Sequence, residues 1–373
     1  MYDIAIIGAG INGCSVAYEF LKKEKNVVVF DKGGIASGGS GAAGAFISPK
    51  FSKAGELKAI INDAFLYAMQ YYEKNFPEAF TKAQLLHIAK DEKEDISLKI
   101  FKERTDLPLQ KPNDAVLQKL TQNAKDREYI SLEAGIVDAQ KVCQLMLEGA
   151  RFLQEEIETL VFEDNYWLIN DTYTAKELVL ATGAYKTLLA EPYIELRGVW
   201  GHRIDIKSNL QNPNSIHQFV SISPSKDGVV AIGATHNVHY HPDKNSEAYD
   251  LVAGQEELLE KASRTLQIKE YEIIKDYTGL RSGSFDYMPL VGPLVLAQET
   301  LACCEKKIRV KKPDYESFLY YPHLSMINGS GGYGFVLAPY LANILKEHIS
   351  SSQKISQRLT PARFFARWAK KLS

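Results

Sequence analysis

Tyr2-Asp3-Ile4-Ala5-Ile6-Ile7-Gly8-Ala9-Gly10-Ile11-Asn12-Gly13, completed by Asn26-Val27-Val28-Val29-Phe30-Asp31, decides the fold. The apolar run 3–7 reads as a buried strand, 11–23 as a helix and Asn26 to Phe30 as a second buried strand. Together they form a βαβ unit, with which a doubly wound sheet begins. Gly8, Gly10 and Gly13 make G-x-G-x-x-G at the strand-to-helix turn, and Asp31 ends the second strand eighteen residues after Gly13. In this context the first glycine permits the turn, the second lets a pyrophosphate approach the backbone, and the third lets helix and strand pack closely. The helix N-terminus offers free N–H groups and a positive dipole end to phosphate. Asp31 can accept hydrogen bonds from ribose hydroxyls.

FAD and NAD share this fingerprint, so other residues must separate them. Directly after Asp31 runs the glycine-rich loop 33–44, able to lie close against a large planar cofactor. Further on, Gly329-Ser330-Gly331-Gly332-Tyr333-Gly334 repeats the glycine spacing, but a polar, basic tail without strand or acid follows its helix. That turn is better suited to face the pyrimidine edge of a flavin, where a helix dipole stabilises the charge gathered on reduction. An ordinary helix cap is the alternative.

Between these ends the pattern is helical over 54–105 and 140–157, with a buried strand at Leu178 to Ala181 running into Thr182-Gly183-Ala184. Alternating strands over 197–240 predict a mostly antiparallel sheet, followed by a helix near 253–266. A last strand, Leu324 to Ile327, enters the second glycine turn and a helix over 335–349. The expected class is α/β (α+β overall). A Rossmann-like FAD-binding domain at 1–50, 131–196 and 277–350 is interleaved with a substrate domain at 51–130 and 197–276, and 351–373 form a basic tail.

With 45% of its 373 residues apolar, the chain is expected to be globular with a sizeable core. It opens on the first strand with no room for a secretory signal, and no window nears the roughly 18 apolar residues of a membrane span. Cytoplasmic location without stable membrane association is expected. The four cysteines Cys14, Cys143, Cys303 and Cys304 lack metal-ligand spacing. His236, His239 and His241 lack accompanying acids, so no metal is expected. The formal charge is −2, yet Lys306, Lys307, Arg309, Lys311 and Lys312 form one basic cluster and the residues after Glu347 carry no acid. Such segregation points to a polyanionic partner, with solvated surface as the plainer reading.

Several separated blocks resemble the D-amino-acid-oxidase and glycine-oxidase superfamily of flavoproteins over most of the chain. They are the fingerprint with Ala36-Ser37-Gly38, Leu180 to Ala184, Gly279-Leu280-Arg281 with Pro289 to Gly292, and Gly329 to Pro339. Within it, the chain is similar to the flavoprotein domain of the tRNA-modifying MnmC family, on Ser40 to Lys50 and on the ending Leu359 to Arg367. That family usually carries a methyltransferase domain ahead of this one. The resemblance implies only its oxidative step, removal of the carboxymethyl group from 5-carboxymethylaminomethyl(-2-thio)uridine at the tRNA wobble position. The partner would be tRNA, with a separate methyltransferase left open as a second. A small-molecule glycine or D-amino-acid oxidase or dehydrogenase is the alternative function, and a flavin-binding protein without catalysis a third.

Candidates for holding FAD are Gly8, Gly10, Asn12, Gly13, Asp31, Lys32, Ser37, Gly38, Ser40, Gly41, Thr182, Gly183, Gly331, Gly332, Gly334 and Phe335. Gly279 stands where some relatives carry an attaching cysteine, which implies non-covalent FAD. Arg281 matches the carboxylate-binding arginine of the glycine-oxidase pattern, its planar fork suiting that anchor. A structural salt bridge is its alternative role. Tyr333 replaces a second arginine found in related enzymes, and it either donates a phenolic hydrogen bond to the carboxylate or stacks beside the ring. His202 could approach the site, with an acid–base role possible but unneeded. Thr360-Pro361 reads as a helix start that places Arg363, Arg367 and Lys370 on one face. These and Lys306, Lys307 and Arg309 are the candidates for gripping tRNA.

Overall fold

A computed structural model describes residues 1–52, 55–185, 188–189, 191–308 and 313–372, with the side chains of 304–307 left aside. In chain order, β1 (Tyr2–Ile7), α1 (Ile11–Leu21) and β2 (Val27–Phe30) form the expected opening unit, and β3 (Phe46–Ile47) ends the glycine-rich loop. Next come α2 (Glu56–Asn75), β4 (Phe80–Ile88), α3 (Glu92–Arg104), the short α4 (Asp114–Lys119) and α5 (Gln122–Lys125), and β5 (Tyr129–Val137). The chain returns through α6 (Ala139–Met146), β6 (Arg151–Leu153), β7 (Leu160–Glu163), β8 (Tyr166–Ile169) and β9 (Tyr173–Leu180). It then builds β10 (Leu196–Ser208), β11 (Ser215–His217), β12 (Ser221–Ile222), β13 (Val229–Gly233), α7 (Leu251–Ser263) and β14 (Tyr271–Ser284). The end is β15 (Leu290–Val295), α8 (Ala297–Ile308), β16 (Tyr320–Asn328), α9 (Gly334–Ser351) and α10 (Ala362–Ala369).

Two sheets result. The first runs β15-β16-β9-β1-β2-β6, with β8 also paired to β9 and β7 to β8. Its centre is parallel, Ile4 opposing Val27 on one side and Glu177 on the other. Val27 to Phe30 are all buried, as a strand covered on both faces requires. The helices α1, α2, α6 and α9 cover one face, joining Ile4, Ile6, Val27 and Val29 in one core with Phe20, Tyr72 and Leu341. Trp167, Tyr193, Phe318 and Phe365 of α10 fill the other face. The second sheet runs β14-β10-β13-β12-β11-β4-β5-β3 and is antiparallel except where β11 joins β4. Its longest ladder pairs β10 with β14 from Leu196 opposite Ser284 to Ser208 opposite Tyr271. No helix among the described residues is long and apolar enough to cross a membrane.

Two expectations need correction. The helical reading of 54–105 is broken by β4, whose nine residues pair in full with β5, and this long-range ladder overrides local apolar spacing. The expected helix 140–157 stops at Met146. Gly149 takes a left-handed φ of +92°, and β6 turns back to join the free edge of β2. The segments 46–47, 129–137 and 271–284 pair in the second sheet. Chain crossings follow sheet edges, which no local pattern marks.

Candidate active site

A cleft of about 850 Å³ opens where the two sheets meet. Its nucleotide end is built by the β1–α1 turn. Gly8 has a φ of +109° and sits so close to β9 that a Cβ there would lie 2.3 Å from the Ala181 carbonyl oxygen. Gly13 packs under the turn, where a Cβ would come within 1.9 Å of the Gly8 oxygen. α1 therefore rests on β1 at a distance only hydrogen permits. Gly10, its N-cap, has no side chain to cap the helix, and Ser40 from the glycine-rich loop accepts a hydrogen bond from the Ile11 N–H at 2.9 Å. Asp31 accepts bonds from the Ala9 N–H (2.8 Å), the Gly33 N–H (2.9 Å) and the Ser37 hydroxyl (3.3 Å). These bonds fasten the end of β2 to the β1–α1 turn and to the glycine-rich loop.

The other end is walled by β14 and the second glycine turn. Gly331 and Gly332 have open space where a Cβ would project, and α9 starts behind them at Gly334 without a side-chain cap. The backbone there can approach a flat ligand directly, and the helix presents its positive end to it. Gly279 lies against the Gly39 Cα at 2.9 Å and the Ala42 Cβ at 3.0 Å from a built Cβ, so β14 and the glycine-rich loop are in contact. Tyr185 donates nothing to β14; its hydroxyl accepts the Leu280 N–H at 3.3 Å while its ring lies over Gly38.

Arg281 enters this cleft from the cleft-facing side of β14. Burial pulls its guanidinium down from the usual arginine value. It donates to the Thr235 carbonyl at 3.0 Å and has no carboxylate within ion-pair distance among the described residues. The structural salt bridge considered for it is not formed among the described residues. Gly201 on β10 makes its room, since a Cβ there would meet Nη2 at 2.5 Å and Cζ at 2.6 Å. Gly201→Ala should therefore displace the guanidinium without touching the charge. We expect KM for a carboxylate-bearing amine to rise by about tenfold with FAD content unchanged, a split that steady-state kinetics on the flavin-loaded protein reads. An unchanged KM would mean the arginine does not meet the carboxylate.

Tyr333 lines the cleft with its phenol pushed up to about 12 by burial, and Lys50 stands 5.4 Å from its ring centroid. It is therefore a neutral hydroxyl at physiological pH. Of the expected cofactor residues, Gly8, Gly10, Asn12, Asp31, Lys32, Ser37, Gly38, Ser40, Thr182, Gly183, Gly331, Gly332, Gly334 and Phe335 border the cleft. Gly13 and Gly41 do not. Each packs against backbone, Gly41 at 2.2 Å from the Ala36 oxygen for a built Cβ, and so shapes the turn from behind.

Other placements depart from expectation. His202 is buried on the opposite face of β10, with Nε2 2.7 Å from Asp276, because strand residues alternate sides and its neighbour Gly201 takes the cleft side. No cluster of three or more His, Cys, Asp or Glu residues among those described could hold a metal. His236 does line the cleft, its pKa lowered by burial and by Arg281 and Lys261. Sequence reasoning also passed over Tyr185, Glu155, His217 and Ser330, which border the cleft as well. Only Ser330 carried a local signal, its place inside the second glycine turn.

The basic candidates divide. Arg363 is turned inward, binding Asp286 through Nε and Nη2 at 2.9 Å each and the Met288 carbonyl at 2.8 Å. It is therefore no part of an outer cationic face; a carboxylate across the interface outcompetes water for it. Burial would raise the Asp286 carboxyl, but its bonds to Arg363 and that positive charge hold it below the ordinary range. Arg367 and Lys370 are exposed. Lys306 and Lys307 are described only as helix backbone, and Arg309 lies outside the described residues.

Comparison with known proteins agrees with this architecture. The chain is 24% identical over 394 residues to the tRNA 5-methylaminomethyl-2-thiouridine biosynthesis bifunctional protein MnmC of Legionella pneumophila (strain Lens), covering 96% of this chain and 56% of that protein. It is 26% identical over 386 residues to the protein of the same name from Campylobacter jejuni, covering 99% and 59%. The chain thus spans less than two thirds of these relatives. A crystal structure of glycine oxidase from Bacillus cereus superposes with a TM-score of 0.74 at 21% identity, covering 96% of this chain and 99% of that one. The model of the DAO family, described as FAD dependent oxidoreductase, matches residues 3–348. With that match over most of its length, the chain belongs to the DAO family of FAD-dependent oxidoreductases.

Proposed function

We propose that this protein removes the carboxymethyl group from 5-carboxymethylaminomethyl(-2-thio)uridine at the tRNA wobble position, giving 5-aminomethyl(-2-thio)uridine and glyoxylate. Arg281 carries the chemical part of this reading. It is a buried guanidinium in the cleft, without a carboxylate partner among the described residues, and such a group is costly unless an anion meets it. Similarity to the MnmC relatives across nearly the whole chain supports tRNA as the carrier of that anion.

In this reading the first glycine turn and the N-terminus of α1 hold the pyrophosphate, and Asp31 accepts from the ribose. Gly331 and Gly332 lie along the ring, and Gly279 offers no side chain for covalent attachment. Bound FAD supplies the two-electron acceptor for the carbon between nitrogen and carboxylate. Arg281 grips the substrate carboxylate through two parallel hydrogen bonds and so fixes that carbon. Tyr333, a neutral phenol, donates to the same carboxylate or packs beside the ring. The substrate loses a hydride and the amine proton, and water then splits the C=N bond to leave the primary amine on the nucleoside. Oxygen, reduced to peroxide, is the proposed terminal acceptor. In this reading a tRNA substrate goes with a cytoplasmic location, and the aminomethyl product suits a separate methyltransferase.

A glycine or D-amino-acid oxidase is the second reading, favoured by Arg281 itself, which would hold a free amino acid equally well. Mass spectrometry of nucleosides from tRNA of a strain lacking the protein separates the two. Carboxymethylaminomethyluridine should accumulate and aminomethyl derivatives should disappear; unchanged levels of both would sink the tRNA reading.

A further inference from the structure

The turn between β14 and β15 carries two aromatic side chains outside the core. Phe285 is 37% exposed and Tyr287 68% exposed. Two exposed arginines from different elements converge on them. Arg197 of β10 lies 4.8 Å from the Phe285 ring centroid and 6.0 Å from that of Tyr287, and Arg367 of α10 lies 4.7 Å from Phe285. Phe285 thus acts as a post that spreads two guanidinium groups, while Tyr287 keeps most of its surface open.

The turn is held in place. Tyr287 has a left-handed φ of +64°, a conformation a bulky residue seldom adopts without support. Its N–H donates to the Ser284 carbonyl at 3.3 Å, the Ser284 hydroxyl donates to the Met288 carbonyl at 2.6 Å, and the fork of Arg363 grips Asp286. The one acid of the turn is thereby paired internally, which leaves the outer surface aromatic and cationic. The inward Arg363 has a use here, since it braces the turn that the outward Arg367 decorates.

This platform adjoins the cleft. Ser282 lines the cleft and donates to Asn328 at 2.7 Å, and Gly283 bridges to Ser330 of the second glycine turn. Phe285 follows three residues after Ser282 on the same chain, a reach of about 10 Å. An open aromatic face among arginines, beside a site that must receive one splayed base, matches how unpaired RNA is recognised: bases stack on aromatic rings and guanidinium planes while cations meet the phosphates.

Resting on the tRNA reading above, we propose that Tyr287, Phe285, Arg197 and Arg367 form the docking platform for the unpaired nucleotides flanking the target base, with Tyr287 stacking one of them. The test uses the FAD-loaded full chain and a fluorescently labelled anticodon stem-loop RNA, with a blunt RNA duplex of the same stem as control. The wild type should prefer the stem-loop. Tyr287→Ala should weaken that binding by about tenfold or more, while Tyr287→Phe keeps it. Arg197→Gln with Arg367→Gln should flatten the salt dependence of binding by roughly 0.7 per arginine, and this second variant serves should Tyr287→Ala lose FAD or melt early. Wild type binding the stem-loop while Tyr287→Ala and the double arginine variant bind it equally well overturns the platform and leaves the tRNA reading standing. Wild type preferring neither RNA overturns both.

Discussion

Gly13→Ala is expected to yield a protein that purifies without FAD. The Cβ of alanine would sit 1.9 Å from the Gly8 carbonyl oxygen, an overlap no contact tolerates, and a milder 3.2 Å from the Ile6 side chain. The closer obstacle is no flexible side-chain tip that could step aside, but backbone at the closest point of α1 to β1. The helix must lift off the strand. Lifting breaks the Ile11–Ser40 bond that joins helix start to glycine-rich loop and moves Gly10 and Asn12, which line the cleft. Overpacking of this kind costs about 3 kcal/mol, and FAD binding, which depends on that same helix end, is expected to fall by at least about a hundredfold. Flavin absorbance per mole of protein, and the rise in melting temperature on adding FAD, measure this. A yellow Gly13→Ala protein with full FAD content would show that the turn tolerates a side chain and that its third glycine is incidental.

Arg281→Leu should do the opposite: keep the flavin and lose the substrate. Leucine fills part of the arginine's volume and leaves no unpaired charge, so the cleft survives, with only the Thr235 carbonyl losing its donor. What disappears in the proposed reaction is a bidentate, charge-assisted contact shielded from water. Its removal is expected to cost about 3–4 kcal/mol of transition-state binding, a fall in kcat/KM of roughly 10²–10³. Arg281→Lys should recover little of it, because a point charge cannot reproduce the planar fork. The readouts are turnover of a carboxymethylamino substrate together with the bound-flavin spectrum. Lost FAD in Arg281→Leu would mark the residue as structural, and unchanged turnover would remove the carboxylate from the pocket.

These two variants also mark where sequence and structure contribute differently. Gly8, Gly10, Gly13 and Asp31 were readable because the turn they form is marked within one βαβ unit. A strand, a turn of positive φ, a helix and a terminal acid constrain residues close together in the chain. Arg281 stood out only through the resemblance of Gly279-Leu280-Arg281, for nothing near an isolated arginine says whether a carboxylate meets it. The tertiary structure adds the room it occupies, across the β10–β14 ladder, where Gly201 stands two residues from Val199, the residue opposite Arg281, and leaves the guanidinium its space. Arg363 shows the same limit in reverse. Its helical spacing from Arg367 puts both on a basic helix, but Asp286, 77 residues earlier, draws one inward and leaves the other out. The parallel core and its nucleotide turn were set by local period and turn chemistry, which a linear chain displays. The second sheet's crossings, the walls contributed by Tyr185, His236 and Glu155, and the aromatic turn at Phe285 and Tyr287 depend on which edges and surfaces meet after folding, and that is decided by packing between residues far apart in sequence.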